Sequence, residues 1–203
     1  MTQPPSWLQF GENHRLQILV IEPLFEEANR CRRLIAEVMR GLDRGGVGSR
    51  LANLPGTGES AVDVADVRLT DWHAAVAAHV PALIASFRGG ALIDGAAARG
   101  VWRLSPETGD RIVRDLKRAT LASADSTLYA GHALSSGFLE DLESASLPAH
   151  PNIRTVRLET EAADADLKIA GSPLWRRAEP GEDPALAAAI VSDLADWAKR
   201  CAG

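Results

Sequence analysis

Residues 82–93 read ALIASFRGGALI, a short apolar run that stops at Arg88 and resumes after two glycines. A short apolar run is typical of a buried strand, and the small-residue pattern after the glycines favours a helix. Paired glycines allow a tight turn and a close approach of that helix to the sheet. The stretch therefore predicts a strand, a sharp turn and a helix, in that order.

The predicted turn has the spacing of a nucleophile elbow, in which a small residue lies two positions before the nucleophile and glycine lies two positions after it. Arg88 stands at the nucleophile position, where Ser, Cys or Asp is expected. With Ser86 as nucleophile, Ile84 and Arg88 would occupy flanking positions that require small side chains, so we reject that register. An ordinary strand-to-helix turn of an α/β sheet stays open as the alternative.

Apolar runs alternate with amphipathic segments along the rest of the chain. Strands are predicted over 16–21, 47–54, 100–104 and 152–159, and helices over 26–42, 70–80, 111–121, 135–143 and 184–201, with Leu121 on the buried face of its helix. This alternation predicts an α/β fold: a mostly parallel sheet with helices on both faces. The 203 residues fit one domain, 1–203, in which residues 1–15 form an N-terminal arm.

Composition and charge narrow the classes of partner. The net charge of −5 comes with mixed acidic and basic residues and offers no basic stripe, which argues against nucleic acid. The most apolar window, residues 74–84, is interrupted by His79 and Pro81 and is too short to span a bilayer. Residues 1–7 lack the features of a signal peptide, so we expect a cytoplasmic protein without a membrane span.

No cofactor or metal is expected from the sequence. Cys31 and Cys201 are far apart, with neither a C-x-x-C motif nor a histidine cluster, so a disulfide framework or zinc site has little support. The Gly-rich loop at residues 55–60 lacks the Gly-Lys-Ser/Thr ending of a phosphate-binding loop. Ligands of parallel sheets bind where the strands end. We therefore expect the loops at 22–27, 55–60, 87–89, 105–109 and 159–175 to converge.

Several segments occur together in an order that resembles the α/β-hydrolase superfamily and, within it, the hydrolase-like proteins associated with the exosortase system of Gram-negative bacteria. These segments are PLFEEANRCRR at 23–33, LPGTGES at 54–60, Trp72, RGGAL at 88–92, WRLSP at 102–106 and GSPLW at 171–175. The resemblance covers most of the chain after residue 16. It implies an α/β-hydrolase-like fold with a minimal cap.

The resemblance also implies positions for an oxyanion hole and a catalytic triad. Carried onto this sequence, the two backbone N–H donors are those of Leu24 and Gly89. The acid candidates are Glu159, Glu161, Asp164 and Asp166, which follow the strand predicted over 152–159. No histidine lies beyond that strand, and His132 and His150 precede it, so either would serve as base only in a changed chain order. Two of the three triad positions therefore depart from the pattern.

Arg88 has two interpretations. In the first, Glu26 or Glu27 from the neighbouring loop neutralises the guanidinium, because a buried charge must be paired. In the second, Arg88 and the backbone amides of Leu24 and Gly89 hold a carboxylate or phosphate. Trp175 and Trp102 are candidates to line such a pocket, with core packing as the alternative role for both.

We therefore expect a hydrolase-like pseudoenzyme of the exosortase-associated type, a bacterial binding or accessory protein with Arg88, Gly89, Leu24, Glu26, Glu27 and Trp175 at its binding site. Its partners would be a small anionic ligand or ester, or a protein of an exosortase system. The alternative is an active hydrolase of an ester or thioester with rearranged catalytic residues. A third hypothesis is an interaction module whose former pocket is filled.

Overall fold

The computed structural model describes residues 8–58, 60–79, 83–95, 98–121 and 128–202. The strands are β1 (Gln9–Phe10), β2 (Gln17–Ile21), β3 (Gly48–Leu51), β4 (Leu83–Phe87), β5 (Gly100–Leu104), β6 (Ile153–Leu158) and β7 (Leu167–Ile169). The α-helices are α1 (Glu26–Arg44), α2 (Leu69–Ala77), α3 (Gly109–Leu121), α4 (Ser136–Ser144) and α5 (Pro184–Ala202). Single turns of 3₁₀ helix cover Val64–Asp66, Arg88–Leu92 and Leu174–Arg176.

The seven strands form one sheet in the order β1-β3-β2-β4-β5-β6-β7. Every neighbouring pair is parallel except β1 with β3. The order reverses between β2 and β4, so the carboxyl ends of these central strands flank a crevice of the kind in which open α/β sheets bind ligands. The predicted α/β fold class, a mostly parallel sheet with helices on both faces, is confirmed.

Each face of the sheet has its own hydrophobic core, because successive strand side chains point to opposite faces. Ile18, Val20 and Ala85 pack under α1 and α5. Leu19, Ile21 and Ile84 pack under α2, α3 and α4. The apolar stripe of α1 is buried as the sequence predicts, with Leu34, Ile35, Val38, Met39 and Leu42 each at most 2% exposed.

Four details differ from the sequence predictions. The helix expected after the elbow is only the 3₁₀ turn Arg88–Leu92, and Leu121, expected to be buried at the end of α3, is 89% exposed. Strands β1 and β7 were not predicted, and β1 lies within the segment expected to be an N-terminal arm. Ala82 and Glu59, which belong to the predicted elbow strand and Gly-rich loop, lie outside the described residues.

The helices of the described residues do not include one with the length and apolar character needed to cross a bilayer. Within the same residues, no cluster of three His, Cys, Asp or Glu side chains is placed to hold a metal ion.

Candidate functional site

The site is organised around the turn that follows β4. Arg88 has a φ of 54°, a left-handed conformation that a non-glycine residue rarely adopts. Gly90 lies so close to the loop after β2 that an added Cβ would be 2.5 Å from the carbonyl oxygen of Glu22. A side chain at residue 90 would therefore push the two loops apart. The sharp turn predicted from the paired glycines is present.

Backbone strain is concentrated where the central strands end. Phe25 after β2 (φ 56°), Arg88 after β4 (φ 54°) and Ser105 after β5 (φ 45°) are three of the four non-glycine residues with positive φ in the described part of the chain. Each such residue costs about 1–3 kcal/mol and persists only where surrounding contacts hold it. Such strain is common at ligand-binding and catalytic sites, so it marks this edge as the candidate site.

The Arg88 guanidinium is buried, with 5% of the residue exposed. Its Nε and Nη2 donate to the two carboxylate oxygens of Glu27, each at 3.1 Å. Nη2 also donates to Oε2 of Glu107 at 3.3 Å, and Nη1 donates to the carbonyl oxygen of Ser105 at 2.8 Å. The first turn of α1 and the segments after β4 and β5 therefore meet at this one side chain.

Trp175 covers the same guanidinium. The ring centre of Trp175 lies 4.8 Å from Cζ of Arg88, which places the cation over the π face. Arg30 of α1 donates to the carbonyl oxygen of Trp175 at 3.0 Å and so fixes the loop after β7. Trp175, a predicted site residue, thus lies against Arg88 at the turn after β4. Trp102 does not, because it is fully buried on the α5 side of the sheet and donates to Asp193 at 2.8 Å.

The ion pair with Arg88 is made by Glu27, so the choice between Glu26 and Glu27 is resolved. Burial raises the pKa of the Glu27 carboxyl, and the charge of Arg88 opposes that rise. Within the described residues Glu26 forms no side-chain hydrogen bond or ion pair. Glu107 was not predicted as a partner, although it lies in the 105–109 loop that was expected at this edge.

The two expected oxyanion-hole residues are neighbours. An added Cβ on Gly89 would lie 3.1 Å from Cγ of Leu24 and 2.6 Å from Cδ1 of Ile112. Leu24 is 5% exposed, so its side chain and that of Ile112 cover the turn. The residues predicted to form an anion-binding pocket are therefore together, but the Arg88 guanidinium already donates its hydrogen bonds to Glu27, Glu107 and the Ser105 carbonyl.

Of the four acid candidates, Glu161 lies nearest to the cluster. Its Oε2 accepts from the Ser105 hydroxyl at 2.5 Å and from the backbone N–H of Leu158 at 2.8 Å. Asp166 instead accepts from the backbone N–H of Thr155 at 2.7 Å. Neither His132 nor His150 contacts Arg88: the His132 ring lies beside Phe25, and His150 bonds to backbone near β5 and β6.

A separate cleft of about 800 Å³ opens beside the elbow, at the ends of β2 and β3. The loop after β2 and the first turn of α1 form one wall, and the loop after β3 forms the other. Glu22, Arg32 and His132 are its ionisable lining residues, and Arg88 is not among the residues that line it. The sequence predicted that the loops at 22–27 and 55–60 lie near each other, and both line this cleft. It did not predict Arg32 or His132 here, because the polar groups come from three segments with no common spacing.

Solved structures similar to this chain include three with 12–13% identity. One is from a study of the metagenome-derived lipolytic enzymes LipS and LipT, with 13% identity, a TM-score of 0.46 and 77% of each chain covered. Another is the NocB thioesterase domain in covalent complex with a fluorophosphonate nocardicin G analogue. It has 13% identity and a TM-score of 0.49, with 97% of this chain and 99% of that chain covered. The third is the bottromycin epimerase BotH in complex with bottromycin A2 (12%, TM-score 0.43, 93% and 90%).

Each of these is a protein to which the chain is similar at a TM-score below 0.5, and none of them bears on its activity. No protein-family model matches the chain, and no curated protein matches it.

Replacing Arg88 tests both the ion pair and the strained backbone. Arg88→Ala and Arg88→Gly each remove the cation that pairs the partly buried carboxylates of Glu27 and Glu107, and we expect each to lower the free energy of unfolding by about 3 kcal/mol. Arg88→Gly should be the more stable of the two by about 1 kcal/mol, because glycine adopts positive φ freely. Urea unfolding measures both values.

The matched control is Arg114, whose side chain is 60% exposed in α3. There the order should reverse, with the Ala variant more stable than the Gly variant by about 1 kcal/mol. The same order at both positions would show that residue 88 is unstrained.

Glu22 gives the stability a pH dependence. Burial raises the pKa of its carboxyl above the usual 4.5, and Arg32 opposes the rise. The folded state therefore binds this proton more tightly than the unfolded state, and stability falls as pH increases through the raised pKa. We expect Glu22→Gln to raise the melting temperature at pH 7 and to leave it nearly unchanged at pH 4. Exposed Glu12→Gln is the control; an equal effect of Glu22→Gln at both pH values would contradict this account.

Proposed function

We propose that this chain is a hydrolase-fold protein that lacks the Ser-Asp-His triad and serves as a binding or accessory protein in the bacterial cytoplasm. The observation that carries the proposal is Arg88 at the elbow, held by Glu27, Glu107 and the Ser105 carbonyl. A guanidinium stays protonated at neutral pH and has no acceptor, so it can act neither as nucleophile nor as base.

The surroundings of Arg88 support the same proposal. Four hydrogen bonds from the guanidinium go to protein oxygens, and the Trp175 ring covers one of its faces. In an active hydrolase of this fold the corresponding space receives the substrate carbonyl. A catalytic histidine is expected in the loop after β7, but the side chain from this loop that lies at Arg88 is the indole of Trp175. An ion-pair cluster therefore occupies the reactive centre.

The exosortase association is the finer part of the proposal, and it rests on the sequence resemblance. The segments at 23–33, 88–92 and 171–175 that carry the resemblance also supply Glu27, Arg88 and Trp175. One set of residues thus accounts for both the resemblance and the closed elbow. The partner in that setting would be a protein of an exosortase system or a small anionic ligand or ester at the edge formed by Leu24, Glu26 and Gly89.

An active ester or thioester hydrolase with rearranged residues is the second candidate, and Ser105 is the observation that favours it. Ser105 combines a positive φ with a 2.5 Å hydrogen bond from its hydroxyl to Glu161. The residue is fully buried, and its acceptor is a carboxylate with no imidazole beside it. Activity would therefore require the cluster to open and a carboxylate to act as base.

Labelling with a fluorophosphonate probe distinguishes the two candidates. We expect no specific labelling of the wild-type chain and no hydrolysis of a short activated ester above buffer, because no nucleophile is exposed at the elbow. Intact-protein mass spectrometry measures the label, with a serine hydrolase as positive control and the heat-unfolded chain as background. Labelling that maps to Ser105 and is lost in Ser105→Ala would contradict the proposal and establish the alternative.

A further inference from the structure

The cleft at the ends of β2 and β3 has the features of a small-molecule site. Its volume of about 800 Å³ falls within the range of about 300–1,000 Å³ that is typical of ligand pockets. Phe25, Leu51 and Val64 are partly exposed and supply its accessible apolar surface, with the buried side chains of Leu24, Leu54 and Trp72 behind them. The cleft lies next to the closed elbow but does not include Arg88, so an occupant would not need to displace the ion-pair cluster.

Among the described residues, the two opposite charges at this cleft have no ion-pair partner, whereas the buried Arg88 and Arg103 are each paired. Arg88 has Glu27, and Arg103 has Asp94 at 2.6 Å. Glu22 and Arg32 both line the cleft, yet the described residues give neither side chain a hydrogen bond or an ion pair within 4 Å. Arg32 acts on the Glu22 carboxyl only at longer range, where its charge opposes the rise in the Glu22 pKa. The cleft therefore presents one half-buried carboxylate and one exposed guanidinium, separated from each other.

The walls between these charges are held in place. Trp72 Nε1 donates to the carbonyl oxygen of Pro55 at 2.8 Å, which ties α2 to the loop after β3. The Phe25 ring centre lies 5.9 Å from that of Trp72 and 5.4 Å from that of His132. Nε2 of His132 is buried, with no hydrogen-bond partner among the described residues. Buried polar atoms are normally satisfied, so this nitrogen is an exception in a residue that lines the cleft.

We propose that this cleft binds a small zwitterion, an amino acid or short peptide with an apolar side chain, whose ammonium group contacts Glu22 and whose carboxylate contacts Arg32. Both contacts are charge-assisted hydrogen bonds, and the Arg32 fork suits a carboxylate. The apolar side chain packs on Phe25 and Val64, which are partly exposed in the cleft. The inference rests on the proposed binding role, because a ligand held here does not reach a reactive group.

Isothermal titration calorimetry with L-phenylalanine and L-leucyl-L-phenylalanine tests the proposal on the full chain. We expect saturable binding of at least one zwitterion and binding weaker by about tenfold or more for 2-phenylethylamine and 3-phenylpropionate, which keep one charge each. Glu22→Gln and Arg32→Gln should each weaken zwitterion binding by about tenfold or more, whereas exposed Arg33→Gln, one residue along α1, should not.

The proposal would be overturned if neither zwitterion bound saturably. So would single-charge analogues that bind as tightly as the zwitterions, or equal losses for Arg32→Gln and Arg33→Gln. The melting temperature of each variant shows whether it is folded. If Glu22→Gln does not fold, Arg32→Gln alone still tests the proposal. A chain that binds no zwitterion and also resists the fluorophosphonate would refute this inference alone, whereas specific labelling would refute the proposed function.

Discussion

The bidentate ion pair between Arg88 and Glu27 is the interaction on which this end of the molecule depends. The turn after β4 points residue 88 into the space where the loops after β2, β5 and β7 meet. A cation in that space is tolerated only if it is paired and its N–H groups are satisfied. Glu27, Glu107, the Ser105 carbonyl and the Trp175 ring meet these requirements together. The first turn of α1 is thereby joined to the segments after β4, β5 and β7.

The same arrangement explains why the strained residues persist. Phe25, Arg88 and Ser105 each have positive φ, and each belongs to a loop that contacts the cluster or the adjacent cleft. In a catalytic elbow such strain presents a nucleophile. Here it presents a guanidinium to two carboxylates, while Glu22 and Arg32 in the adjacent cleft have no ion-pair partner among the residues that the structure describes. The paired charges around Arg88 fill the turn after β4, whereas the cleft lined by Glu22 and Arg32 stays open beside it.

The sequence predicted the sheet and most helices because long apolar runs and stripes, such as that of α1, report burial directly. The sequence-based prediction was wrong where contacts with distant residues override the conformation that the local pattern favours. Residues 91–93 resemble the start of a helix, but Asp94 is drawn into a buried pair with Arg103 and a 2.6 Å hydrogen bond from Ser86. Strand β7 has only three residues, too few for a periodicity to show.

The candidate site could be predicted in outline but not in its pairings. The glycines and the alternation of strands and helices placed Arg88, Leu24 and Gly89 at one edge of the sheet. Whether Glu26 or Glu27 reaches the guanidinium depends on the rotation of the first turn of α1, which no pattern specifies. Glu107 as a partner and the unpaired state of Glu22 and Arg32 follow from distances between loops, and these exist only in the folded chain.

A double-mutant cycle on Arg88 and Glu27 tests the central claim most directly. Arg88→Met keeps the side-chain stem and the strained backbone, and Glu27→Gln keeps the shape of the side chain, so the cycle isolates the charge pairing. From urea unfolding of both single variants and the double variant, the account predicts a coupling free energy of about 1–3 kcal/mol. Effects that add to within about 0.5 kcal/mol would show that the two side chains act independently and would contradict it.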